Sequence, residues 1–159
     1  MKHWTGRRLA RVVLGAVFCA ASVAAATAAE YHGVAAGDDY IVMVDKSSIY
    51  QTGGYTRGWT VTMYADPGDD DDPILSTLDE FDCAQHRWRV VSYTTRDESG
   101  EVVTSFDNDD LSWSNVEPST NGETLQTAIC TPSTMTDEAL PTDDLAAILS
   151  AYIKTQEDK

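Results

Sequence analysis

The sequence predicts a mainly β (α+β) fold: a single antiparallel sheet of about six strands with a C-terminal helix packed on it, fastened by one disulfide. Three observations lead there. Between residues 40 and 130, β-branched and aromatic runs are punctuated by glycine, proline and aspartate, the mark of strands joined by turns. Leu145, Ile148, Leu149, Tyr152 and Ile153 then recur at helical spacing, which lines them up as one apolar stripe. Two cysteines, Cys83 and Cys130, remain once the N-terminal leader is set aside.

The leader comes first in the chain. Lys2, Arg7, Arg8 and Arg11 precede an uncharged, small or apolar stretch from Val12 to Ala26, and Ala26-Thr27-Ala28 offers a cleavage site. A basic, then apolar, then small-residue order predicts a signal peptide over residues 1–29, cut near Ala28 or Ala29. Its apolar part is shorter than the roughly 20 residues a spanning helix needs, so no membrane span is expected after cleavage. Residues 30–159 form the one remaining domain, of a size suited to a single core.

Tyr40–Val44 reads as the first strand, ended by a turn at Asp45-Lys46-Ser47-Ser48. Gly53-Gly54 marks the next reversal, and Thr56–Tyr64 alternates, with Trp59, Val61 and Met63 on one face, as a strand covered on one side does. "ADPGDDDDP" (65–73) cannot pair in a ladder and repels itself, so it is a solvated loop. Ile74–Cys83 and His86–Arg96 form a hairpin across the Ala84-Gln85 link. Glu101–Phe106 follows a turn at Glu98-Ser99-Gly100, and the stretch after it looks irregular. Leu125, Thr127 and Ile129 then alternate within Glu123–Cys130, predicting a last strand. The final element is the helix, over about 142–156, with Thr142 as its N-cap and Asp143 and Asp144 in its first turn.

Charge excludes several classes of partner. All 26 acidic residues lie from Glu30 onward, while four of the 11 basic ones lie in the leader, leaving 7 basic against 26 acidic and a net charge of −19. Nucleic acids and anionic membranes are bound through lysine and arginine, so neither is expected as a partner.

Export would place Cys83 and Cys130 in an oxidising compartment, where an even pair predicts a disulfide. Closing that 48-residue loop disfavours the unfolded chain by about 4 kcal/mol. The competing chemistries are weaker. Cys83 and His86 could form a thiolate–imidazole pair, but on a strand residues three apart point to opposite faces. Cys83, Cys130, His32 and His86 lack zinc spacing. Asp69–Asp72 and the group Asp107, Asn108, Asp109 and Asp110 lack the ordered ligand loop of a strong calcium site. No G-x-S-x-G elbow occurs. The expectation is therefore no enzyme, no cofactor and no metal.

Two features suit contact with another protein. Arg87, Trp88 and Arg89 combine the residue types that concentrate at interface hot spots; the same three residues also fit a strand whose Trp88 faces the core while the arginines pair with nearby acids. Lys159 is a free C-terminal lysine.

An ordered series of short motifs resembles the bacterial surface-adhesin protein E family: "VDKSSI" (44–49), Gly53-Gly54, "GW" (58–59), "FDC" (81–83), Arg87 with Arg89, Tyr93, "SGEVV" (99–103), "SW" (112–113), "EPST" (117–120) and Cys130. The resemblance is strongest over residues 38–130. It implies an antiparallel sheet of about six strands with a disulfide-held helix, no catalytic machinery, export, binding of host matrix and plasma proteins, and a capacity to form homodimers. Phe18 stands where a lipid-anchor signal needs a small residue before Cys19, and the acidic balance departs from an adhesin with a basic surface. Fold, export and the cysteine pair are what carry over. The expected function is an exported, non-enzymatic protein-binding module of the periplasm or outer cell surface; the competing reading is a structural or inhibitory periplasmic protein, or a weak calcium-binding domain.

Overall fold

A computed structural model describes residues 28–68, 71–135 and 138–157. The leader as far as Thr27, with Cys19 in it, two aspartates of the 69–72 run and Lys159 lie outside the described residues.

The sheet is a meander. Strands β1 (Tyr31–Ala36), β2 (Tyr40–Thr52), β3 (Tyr55–Tyr64), β4 (Ile74–Asp82), β5 (Arg87–Arg96) and β6 (Val102–Asp107) lie side by side in chain order. Every pairing is antiparallel, and β7 (Ser114–Asn115) adds a short piece beside the start of β5. Two helices complete the fold, α1 (Asn121–Cys130) and α2 (Leu145–Glu157).

Turn chemistry sets the register locally. Gly53 and Gly54 both have positive φ (58° and 88°) between the paired Thr52 and Tyr55, as a two-residue type I′ hairpin demands. At the β4–β5 reversal Asp82 Oδ1 accepts from the Gln85 amide at 3.1 Å. Cys83 and His86 therefore sit in a four-residue turn and not on a strand, with His86 at φ 52°. The opposite-faces argument does not apply to them.

Three elements differ from the sequence reading. The Asp45–Ser48 signal is a bulge inside a 13-residue β2 and not its end. Asp45 Oδ1 accepts from the Ser47 amide (3.0 Å) and hydroxyl (2.6 Å), while Ser48 Oγ accepts from the Trp59 amide across the ladder at 2.8 Å. Strand β1 was not expected, because YHGVAA is poor in β-formers; its pairing with β2 holds it. Glu123–Cys130 is helix α1, not a strand. Thr120 caps it by accepting from the Glu123 amide, and Glu123 reaches back to the Ser119 amide at 2.8 Å, close to a capping box.

The register assigns residues to two faces. Met63, Val61, Trp59 and Arg57 share one face with Ile74, Ser76, Leu78 and Glu80. Helix α2 covers one end of that face, where Ile148 and Leu149 bury Met43, Val61, Met63 and Ile74. Asp144 rather than Thr142 caps α2, since its Oδ1 accepts from the Ala147 amide at 3.2 Å. The opposite face carries a second core at the other end, where Ala128 and Ile129 of α1 pack on Val44 and Phe81, with Trp88 against them. Strand β3 is thus covered on both sides, with Thr56 and Thr60 buried as well as Val61 and Met63. Gly58 permits the close approach of α1: a Cβ there would sit 3.2 Å from Ile49 and 3.5 Å from Ile129.

The disulfide joins the turn after β4 to the end of α1, Cys83 to Cys130, with a Cα separation of 5.8 Å. It clamps α1 onto the face it covers.

Candidate functional site

Each helix covers only part of one face, so the face carrying α2 stays open at its far end. The β3–β4–β5 register lines up Arg57, Glu80 and Arg89 in one cross-strand row there. Glu80 is almost fully buried, its side chain 2 % exposed. It accepts from Arg57 Nε and Arg89 Nε, both at 2.6 Å, and Arg89 Nη2 closes a second contact with it. A buried carboxylate is tolerable only when paired and hydrogen-bonded. Here one anion holds two cations side by side.

The next row repeats the device. Arg87 Nη2 donates to Asp82 at 2.6 Å, and this pairing is the main reason the Asp82 carboxyl lies below its ordinary range. Glu80, followed by Tyr50, holds the Arg57 guanidinium above its ordinary value.

Aromatic rings overlie the arginines. The Trp113 ring lies 4.3 Å from the Arg89 guanidinium and 5.3 Å from that of Arg87, while Tyr55 packs against Trp113 with centroids 4.9 Å apart. Arg89 Nη1 also donates to the Leu111 carbonyl at 3.0 Å, which pins the 108–113 segment over the row. Each such cation–π contact adds on the order of 0.5–1 kcal/mol and fixes the guanidinium plane. Arg96 belongs to the same face. It lines a 220 Å³ cavity with Tyr31, Asp45, Trp59, Ser76 and Thr94, and its Nη1 donates to the Gly100 carbonyl at 3.0 Å. No ion pair joins Arg96 to a carboxylate among the described residues.

Of the contact residues suggested by the sequence, Arg87 and Arg89 come together here. Trp88 points the other way, stacking on Phe81 at 6.3 Å. Lys159 is outside the described residues. Glu80, Arg57 and Tyr55 have no role in the sequence reading, and Trp113 enters it only within the "SW" motif. Glu80 and Asp82 carry the one available signal: across a four-residue turn they fall opposite Arg89 and Arg87.

The opposite face holds another buried acid, Asp79, 1 % exposed. Thr60 and Thr77 hydroxyls donate to its Oδ2 at 2.8 and 3.0 Å, while Oδ1 meets no protein donor. Burial pushes its pKa up to about 6 against the opposing pull of the two hydroxyls. Among the described residues it has no cationic neighbour of the kind Glu80 has.

Cys83 is spent in the disulfide, and His86 Nδ1 lies 2.9 Å from Gln126 Oε1 rather than beside a nucleophile. Among the described residues no group of three or more His, Cys, Asp or Glu side chains could hold a metal ion, and no helix is long and apolar enough to cross a membrane. The arginine face therefore presents guanidinium planes fixed by internal carboxylates, with aromatic rings over them.

In comparisons with known proteins, the family model described as surface-adhesin protein E matches residues 30–131. No curated protein and no solved structure matches the chain.

Proposed function

The chain belongs to the surface-adhesin protein E family, and from that premise we propose that it is an exported, non-enzymatic protein-binding module of the bacterial cell envelope. Its contact surface is the arginine and aromatic face. One observation carries this reading. All four arginines of residues 30–159 lie on a single face of the sheet, with Tyr55, Trp59 and Trp113, in a domain of net charge −19. Arginine, tryptophan and tyrosine dominate the energetics of protein interfaces, and a cationic patch on an acidic body orients an acidic partner.

The partner class is a protein with exposed carboxylates, either a host matrix or plasma protein or another envelope protein. Pull-down with the purified domain against both sources tests this. Arg87→Ala and Trp113→Ala are expected to weaken capture at least tenfold, and raising salt from 50 to 500 mM to weaken it further. Capture unaffected by either substitution would move the contact elsewhere. Turnover of a substrate with no captured protein would replace the binding reading with an enzymatic one.

A further inference from the structure

The arginine face does not account for the far edge of the sheet. Among the described residues, strand β6 ends the strand path and pairs on one side only, with β5. Val102, Val103 and Phe106 are 51, 55 and 54 % exposed, and with Leu111 they make up four of the five exposed large hydrophobic side chains among the described residues. Natural sheets guard such an edge with lysine, proline, bulges or a covering segment. The opposite edge is guarded: β1 is bulged between Gly33 and Ala35, and the Tyr31 carbonyl already accepts from the Leu140 amide at 2.8 Å. Strand β6 has neither lysine nor proline, and its one extra residue, Val103, leaves Thr104–Asp107 regularly paired with β5.

Its flanks say what could dock. Glu98 and Glu101 stand at one end, and Asp107, Asp109 and Asp110 at the other. A second copy pairing antiparallel along the same edge would bring Glu101 up to Asp107 at both ends, and opposed like charges disfavour that. An extended segment with cations at its ends meets no such penalty.

We propose that the free edge of β6 is a docking site for an extended segment of a partner protein, apolar at alternate positions and carrying lysine or arginine at its ends, which adds to the sheet as a further strand. Main-chain hydrogen bonds supply affinity, Phe106 beside Tyr93 marks the face that receives the alternate apolar side chains, and the acidic flanks select the charge. This surface is separate from the arginine face, and either could fail without the other.

The test uses the purified protein and a fluorescent seven-residue peptide of alternating valine and threonine with lysine at both ends. A peptide with glutamate at both ends is the control. Saturable binding of the lysine-ended peptide is expected, at least tenfold tighter than the control, with slowed amide hydrogen exchange across residues 102–107. Val103→Lys with Phe106→Lys should weaken binding at least tenfold, whereas Ala147→Lys with Ser150→Lys on exposed α2 positions adds the same charge and should change it less than twofold. Equal binding of the two peptides, no binding of either, or unchanged exchange in β6 overturns the proposal. So does light scattering that shows a wild-type dimer made monomeric by the β6 lysines, since the edge would then belong to a second copy.

Discussion

Asp79 makes the stability of this domain depend on pH in an unusual direction. It is 1 % exposed, receives two hydroxyl donors and has no cation beside it among the described residues. Its pKa rises from an ordinary 3.8 to about 6 because burial penalises the charged form. The folded chain thus holds this proton more tightly than the unfolded one. Stability from this group is complete below about pH 4, falls as pH rises toward 6, and is level above that. At about 1.4 kcal/mol per pKa unit, the loss between pH 3.5 and 7 comes to about 3 kcal/mol. Asp79→Asn removes the titration while keeping an oxygen for the two hydroxyls. Urea unfolding of both proteins at intervals from pH 3.5 to 7.5, followed by tryptophan fluorescence, measures the difference. The variant should gain about 3 kcal/mol relative to wild type across that range. Asp82 and Asp97 have lowered pKa values, through Arg87 and Ser99 respectively; their stabilisation is lost as pH falls below the usual carboxylate range, and it cancels in the subtraction. A difference that stays flat with pH would refute the reasoning, showing that Asp79 is either solvated or paired with a cation in solution.

Three further perturbations test other parts of the structure. Cys83→Ser with Cys130→Ser, or reduction of the native pair, should destabilise the domain by about 4 kcal/mol by reopening a 48-residue loop, read as a lower urea midpoint. Glu80→Gln leaves Arg57 and Arg89 facing each other without their shared anion; a loss of about 3 kcal/mol is expected, and denaturant titration measures it. Leu149→Ala empties a site 1 % exposed between α2 and the sheet, and thermal unfolding should report a loss of about 2–5 kcal/mol.

Much of the fold was legible wherever the signal was local. The Gly53-Gly54 pair, the alternation of Thr56–Tyr64 and the helical spacing from Leu145 to Ile153 each specify their element within a few residues. Segment 123–130 misled because eight residues with Leu125, Thr127 and Ile129 fit either period. The Thr120–Glu123 cap and the packing of Ile129 against Gly58 decide for helix. Strand β1 was hidden for the opposite reason, having almost no propensity of its own and relying on its partner.

The candidate site divides along the same line. That Arg87 and Arg89 share a strand face follows from spacing alone, as does the even pair of cysteines beyond the leader. The placement of both arginines beside Trp113, with a buried Glu80 tying Arg89 to Arg57 two strands away, depends on the register of β3, β4 and β5 and on a loop folding back over them. A chain written in one dimension specifies which face each residue of a strand takes, because side chains alternate. Which strands lie next to each other, and which rows of side chains therefore meet, is settled only when the whole sheet has closed around its two cores.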